Sequence, residues 1–241
     1  MASRISHVVE LLRNRILSGE IAHGERIGEL KFSEALDVSR TPLRLALEEL
    51  ERQGLVERAG RRGFRVRAFP MKHVGDAIDV RGTLEGMAAR LLAERGIDEA
   101  TATALASYVD AGAALLKGTP STAPDPTEWA QINAAFHRTL VEAADNRALI
   151  DALAVNDRVP IASAAAVTFT EAVGEFAFAM LREAQRDHEL LLAAIRNREG
   201  SRAEAILREH ARRSREVKLR MIELLRAQKQ KAELPGLRLV V

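Results

Sequence analysis

The sequence predicts a mainly α fold: a small N-terminal unit of three helices and a two-stranded ribbon, followed by an antiparallel all-α helical bundle. Three observations carry this. Ala, Leu, Arg and Glu are abundant in a chain of 241 residues with only 4% aromatic content, and such a composition favours helices. Apolar residues recur at three- and four-residue intervals along most of the chain, the period of an amphipathic helix. Strand-like alternation stands out only around a Gly- and Arg-rich turn in residues 55–67. A chain this long can hold two domains, each burying its own core.

Hydrophobic residues make up 47% and charged residues 29%, as in an ordinary globular protein. The net charge of +2 demands no polyanion, but residues 58–67 hold five arginines and no acid. Cysteine is absent, which excludes disulfides and thiolate metal sites and leaves His with carboxylate or amide oxygen as metal donors. No apolar run approaches the roughly 18 residues of a membrane span and no signal peptide opens the chain, so no membrane partner and a cytoplasmic location are expected.

The first domain is expected over residues 1–69. Ile5, Val8, Val9, Leu12, Ile16 and Leu17 mark an amphipathic helix ending near Ser18-Gly19. Residues 21–27, with Gly24, read as a turn leading to a short helix over residues 29–36. After the Asp37-Val38 turn a third helix starts, with Ser39 or Thr41 placed to cap it and Pro42 tolerated in its first turn. Leu43, Ala46, Leu47 and Leu50 give it one buried face. Arg40 and Arg44, four apart, project along one edge beside its N-terminus. Arginines and a helix N-terminus together suit phosphate or the acceptor edge of guanine, although a surface helix with solvated arginines has the same pattern. Residues 55–58 and 64–67 then read as two strands around a turn tipped by Arg61, Arg62 and Gly63. The whole is a winged helix-turn-helix, its tip suited to lie along a minor groove.

These residues resemble the GntR family of bacterial transcription regulators. The resemblance is carried by Ile16-x-x-Gly19, Gly24-Glu25-Arg26-Ile27-x-Glu29, Val38-Ser39-Arg40-Thr41-Pro42-Leu43-Arg44-x-Ala46-Leu47, Leu50-Glu51-x-x-Gly54-Leu55-Val56 and Arg62-Gly63-Phe64-x-Val66. It implies a double-stranded DNA operator contacted by Arg40, Thr41 and Arg44, with the wing tip at Arg61, Arg62 and Gly63 assisting. Leu45 stands where the family usually has Glu, and Leu30 where some members use an arginine.

Past a hinge at Phe69-Pro70-Met71, a second domain is expected over residues 72–228, with a tail at 229–241. Helices are predicted near residues 74–95, 98–116, 127–144, 147–156, 179–197 and 201–228, with a helical region over 161–178 and a Pro- and Thr-rich connection over 118–126. Polar residues interrupt their apolar stripes. His188 falls among Leu181, Ala184, Leu191, Leu192 and Ile195, and His210 among Ala203, Ile206, Leu207, Val217, Met221 and Leu224. Asn133 and His137 edge the stripe of Trp129, Ile132, Phe136 and Leu140. A single inward His is commonly a satisfied core residue; three, with one oxygen donor, also suit a first-row divalent metal. Arg81 and Glu85 lie within the apolar arc of Val74, Ile78, Leu84, Ala88 and Leu92, as a mutually neutralising pair or as a grip on a carboxylate.

The segments Asn133-x-x-Phe136-His137-x-x-Leu140, Asp187-His188-x-x-Leu191-x-Ala193-Ala194-Ile195 and Ala203 through His210 resemble the FCD ligand domain of the FadR branch. In its metal-binding members three His and an Asp hold the ion. The resemblance therefore implies a divalent metal, zinc first with nickel or manganese as others, at Asn133, His137, His188 and His210. Asn133 stands where Asp is usual and lacks its charge. Small organic acids as effectors, met by Arg81 with Glu85, are also implied. The stretches from Asp76 to Gly96, from Asn133 to Val141 and from Ile161 to Ala166 are similar to a vanillate-responsive subgroup, in which Phe169, Phe176 and Phe178 would line an aromatic-acid pocket. The expectation is a homodimeric, non-enzymatic repressor on a pseudo-palindromic operator. An activator, or a regulator with a purely structural metal, fits the same residues. A di-iron enzyme would need paired Glu-x-x-His motifs, and the sequence has none.

Overall fold

The structure, a computed structural model, describes residues 2–60, 63–118, 126–159, 161–164, 174–227 and 236–241. Its chain separates into two compact units. One comprises Met1–Val74, Arg158–Pro160 and Glu233–Val241, and the other Gly75–Asp157 and Ile161–Ala232.

In the first unit, α1 (Ala2–Leu17), α2 (Glu29–Ala35) and α3 (Arg40–Arg52) pack around Val8, Leu12, Ile16, Leu43, Leu47 and Leu50, all fully buried. Ser39 occupies the N-cap of α3 in extended conformation but makes no side-chain capping bond, contrary to the expected cap.

The wing has three strands rather than two. β1 (Arg26–Ile27) and β2 (Val56–Arg58) flank β3 (Phe64–Val66), all antiparallel, in the order β1-β3-β2. Residues 21–27 were expected to be only a turn. A two-residue strand is too short to display a period; Arg26 and Ile27 become a strand because Arg65 and Phe64 come opposite them. Gly60 and Gly63 take φ of 73° and 96° in the wing turn, a region other residues rarely enter. The expected tip residues Arg61 and Arg62 lie outside the described residues.

The last residues join this first unit. Gly236 (φ 83°) opens a 3₁₀ turn over Leu237–Leu239. Phe69 N–H donates to Leu239 O at 2.7 Å, Val241 N–H to Phe69 O at 2.9 Å, and Met71 N–H to Val241 O at 3.0 Å. Leu239 and Val240 are buried. This stretch of the expected tail is thus bonded along the expected hinge; residues 228–235 lie outside the described residues.

The second unit is built from α4 (Met71–Arg95), α5 (Glu99–Leu115), α6 (Pro126–Ala143), α7 (Arg147–Asn156), α8 (Gly174–Arg196) and α9 (Gly200–Ala227). α4 begins at Met71, inside the expected hinge, because Pro70 fits directly ahead of a first turn and its carbonyl accepts from Val74 N–H at 3.2 Å. Asp98 and Asn146 cap α5 and α7 through Thr101 N–H and Leu149 N–H. Phe136, Leu140, Leu191, Ile195 and Leu207 form its main core. A Cβ on Gly82 would stand 2.3 Å from that of Ala211, so glycine lets α4 and α9 approach closely enough to share a site. Of the region expected to be helical over 161–178, residues 161–164 form turns, α8 starts at Gly174, and the rest lies outside the described residues, as do 119–125 of the connection. No helix among the described residues is long and apolar enough to cross a membrane.

Candidate functional site

Three helices deliver three imidazoles to one point. His137 comes from α6, His188 from α8 and His210 from α9; one ring nitrogen from each lies within 4.8 Å of the others, and all three are buried. Nε2 of His137, Nε2 of His188 and Oδ1 of Asn133 find no hydrogen-bond partner among the described residues. Buried acceptors left unpaired are costly, and a divalent cation would satisfy them together. The donor set, imidazole with one amide oxygen, suits a first-row metal. The Asn133 amide is oriented, since Nδ2 donates to Ala164 O at 2.7 Å.

Neighbours prepare these ligands. His188 stacks on Phe136 with centroids 4.3 Å apart. Burial first, and then the His210 and His137 rings, hold it well below the usual imidazole range, so its ring is neutral at pH 7, the form that could bind a metal. His210 Nδ1 lies 3.1 Å from Asp187 Oδ2. Donation to that carboxylate fixes the tautomer and leaves Nε2 as the free acceptor. Burial lowers His210 also, with Asp187 opposing. Burial would raise Asp187, but hydrogen bonds from His210 and Arg213 outweigh it and hold it below the usual carboxylate range. Both Asp187 oxygens accept from Arg213 Nη2, at 2.5 and 2.6 Å. Sequence reasoning gave Asp187 no role; the signal was its place beside His188, with an arginine three residues beyond His210.

Arg81 and Glu85 of α4 are almost fully buried, with Arg81 Nε 3.8 Å from Glu85 Oε2. The same oxygen is 3.1 Å from His137 Nδ1. Burial would raise Glu85, but the neighbouring His137 and Arg81 charges prevail and bring it down to about 2. Arg81 also lines a cavity of about 70 Å³ with Trp129, Asn133, His210 and Lys218, and with apolar walls that include Leu181 and Val217. Glu85 does not line it; it faces His137 and Arg81 from behind. Lys218 was missed because a lysine on an amphipathic helix reads as surface, yet it is buried. Burial, and then the charge of Arg81, hold its ammonium well below the ordinary lysine range. Of the expected pocket phenylalanines, Phe178 is buried with Trp129, Leu116 and Leu181; Phe169 and the Phe176 side chain lie outside the described residues.

The second candidate surface is the start of α3. Arg40, Thr41 and Arg44 are exposed there, and the first-turn amides have no side-chain cap from Ser39. Arg40 reaches Glu29 at 3.7 Å and Arg44 reaches Glu48 at 3.2 Å, loose pairs that water screens. Leu45, also exposed, lies on the same helix. An uncapped helix start beside two exposed, loosely paired arginines suits phosphate.

Comparison with known proteins settles what this pair of sites belongs to. Residues 4–66 match the bacterial regulatory proteins of the gntR family, and residues 76–213 match the FCD domain. The chain belongs to the GntR family. It is a DNA-binding transcriptional regulator, not an enzyme, in the branch that carries an FCD domain. It is 29% identical over 208 residues to the HTH-type transcriptional regulator YdhC of Bacillus subtilis, covering 86% of this chain and 77% of YdhC. To the transcriptional repressor GlaR of Escherichia coli it is 26% identical, over 83% of this chain and 88% of GlaR. With the gluconate operon repressor of Bacillus licheniformis it shares 31% over 54% of this chain and 51% of that one. The fold is that of E. coli McbR/YncC, with TM-score 0.57 and 18% identity over 95% of this chain and all of the other. It is also that of Lar of Listeria monocytogenes, with TM-score 0.61 and 16% identity over 90% and 96%.

Proposed function

We propose that this regulator is a homodimeric repressor of catabolic genes, released from a pseudo-palindromic operator by a small organic acid bound beside a divalent metal. The observation that carries the reading is the cluster of three buried imidazoles, two of them with a ring nitrogen that has no partner among the described residues, adjoining a cavity that buried Arg81 lines. His137, His188 and His210 would hold the ion, with Asn133 as the oxygen donor. Zinc suits a neutral, nitrogen-rich set of this kind, and nickel and manganese are its competitors. The metal would supply a positive centre for an effector oxygen. Arg81 would take the carboxylate, and the apolar walls a ring, as in vanillate and related aromatic acids. The Bacillus licheniformis relative is the repressor of an operon named for a sugar acid, which agrees with an acid as effector.

In each wing-bearing unit Arg40, Thr41 and Arg44 would meet one half-site, with Gly63 and the neighbouring Arg61 and Arg62 on the adjacent groove. The acid changes occupancy only if it binds the operator-competent and released forms with different affinity.

Calorimetric titration of the metal-loaded protein with vanillate and related acids, repeated on Arg81→Ala, tests this. Binding that the substitution abolishes, together with acid-dependent loss of operator footprint, is the expected result. Metal-loaded, folded protein that takes up none of these acids would remove the aromatic-acid assignment.

A further inference from the structure

Three successive backbone carbonyls are engaged by buried cations. Lys218 Nζ donates to Ile161 O at 2.8 Å and to Ser163 O at 3.0 Å, and Arg81 Nη1 donates to Ala162 O at 2.5 Å between them. The next carbonyl, of Ala164, accepts from Asn133 Nδ2. Side chains from α4, α6 and α9 thus hold one short segment. That segment is strained at its start, where Ile161 takes φ of 70°, a region that β-branched residues avoid.

Among the described residues Lys218 makes no ion pair; its hydrogen-bond partners are the two carbonyls, and Glu85 and Asp157 act on it only at longer range. Glu85, the one acid paired to Arg81, also faces His137. Two further buried donors, Arg81 Nε and Trp129 Nε1, have no acceptor among the described residues, and Arg81, Trp129 and Lys218 all line the cavity. Carbonyl dipoles compensate a buried cation less fully than an opposite charge does.

We infer that Lys218 and Arg81 form a two-cation anion subsite, and that a ligand carboxylate enters it by exchange with the carbonyls of Ile161, Ala162 and Ser163. The inference rests on the acid-effector reading of this cavity and adds to it a second cation and a displaced segment. The carboxylate takes the N–H donors of Lys218 and Arg81, and the three carbonyls pass to water. The strain at Ile161 favours that release. Arg158–Pro160, immediately upstream, belong to the compact unit of the DNA-reading helices. There Arg158 packs against Gly54, where a Cβ would stand 2.7 Å from that of Arg158, just beyond α3. Residues 161–164 follow Arg158–Pro160 directly in the chain.

The test uses the full-length, metal-loaded protein with vanillate and benzoate as probes. Lys218→Met keeps the stem and removes the charge. Its expected effect is an affinity loss of about tenfold or more, the value of a hydrogen bond to a charged group, with metal content unchanged. Trp129, the only tryptophan, reports cavity occupancy by fluorescence. In the wild type, hydrogen exchange in residues 158–164 is expected to quicken when acid binds. That measurement decides the matter if Lys218→Met does not fold. Acid binding of equal affinity in Lys218→Met, or exchange in 158–164 that is unchanged or slowed by acid, overturns the subsite. A wild type that binds neither acid overturns it together with the effector reading, whereas an unaffected Lys218→Met overturns the subsite alone.

Discussion

Arg44 and Arg81 share a local pattern, an arginine on a helix with a glutamate four residues on, and they live in opposite surroundings. The Arg44–Glu48 pair closes to 3.2 Å with side chains 60% and 35% exposed. The Arg81–Glu85 pair sits at 3.8 Å with side chains 3% and 5% exposed. At the surface the attraction is screened and both groups stay hydrated, so the pair is weak and Arg44 is free to leave it for a phosphate. In the core both charges have lost their water, and each depends on the other and on fixed dipoles. On the proposed reading, the weak pair belongs to a site that would let go of its own protein to grip DNA. The buried pair belongs to a site that keeps charge ready in a dry place.

The largest expected effect follows from breaking the buried pair. Glu85→Ala leaves Arg81 buried without its carboxylate and should destabilise the metal-free protein by roughly 3–5 kcal/mol, measured by urea unfolding. A loss below about 1 kcal/mol would mean that the Ala162 carbonyl already suffices for Arg81, and the contrast between the two pairs would fail.

Asp187 sharpens the comparison at the proposed metal ligands. Its carboxylate orients His210 and is itself held by Arg213. Asp187→Asn keeps the shape and loses the charge that fixes the tautomer. Metal affinity should fall about 10–100-fold in a competition titration with a chelator, while operator affinity in the absence of acid stays the same. An unchanged metal affinity would reduce the Asp187–Arg213 pair to a surface brace.

The helical pattern was legible from sequence because most buried residues keep strict periodicity: Leu43, Ala46, Leu47 and Leu50 in α3 are all buried. His137, His188 and His210 were legible as polar residues at the centre or edge of apolar stripes. What escaped lacked period or looked ordinary. β1 is two residues long and owes its existence to a distant partner strand. Leu239 and Val240 form a short apolar end whose partner, Phe69, is remote in sequence. Lys218 and Asp187 carry charges that a helical wheel assigns to solvent, and only the approach of α4, α8 and α9 encloses them.

A smaller effect separates the buried histidines from surface ones. His188 and His210 titrate below the ordinary value of 6.5 in the folded protein, chiefly because they are buried. The folded state therefore binds fewer protons than the unfolded state, and stability rises with pH. Stability of the chelator-treated protein is fully present above about 6.5 and should decline as pH falls below it, each unit of depression being worth about 1.4 kcal/mol per histidine. Melting temperatures between pH 8 and 5 check this. In His188→Phe, which keeps an aromatic ring against Phe136, the decline should be shallower; an identical decline would place the titrating groups elsewhere.

The smallest effect is at the surface pair. Glu48 stands 3.2 Å from Arg44 and 3.6 Å from Arg58, so Glu48→Ala frees Arg44 and leaves Arg58 with Glu51 alone, at 3.3 Å. Both already reach water, and stability should change by less than about 1 kcal/mol. DNA affinity should rise, because a like charge is removed from a surface that meets phosphates and Arg44 no longer has to exchange a carboxylate for one. If Arg58 also reaches a phosphate, the gain will carry a steeper salt dependence. A fluorescence-anisotropy titration of operator DNA at several salt concentrations distinguishes the outcomes. Weaker binding would mean that Glu48 does not compete with DNA but holds Arg44 in the conformation that reads it. The surface pair would then be organised for its function as tightly as the buried one, and exposure alone would no longer separate them.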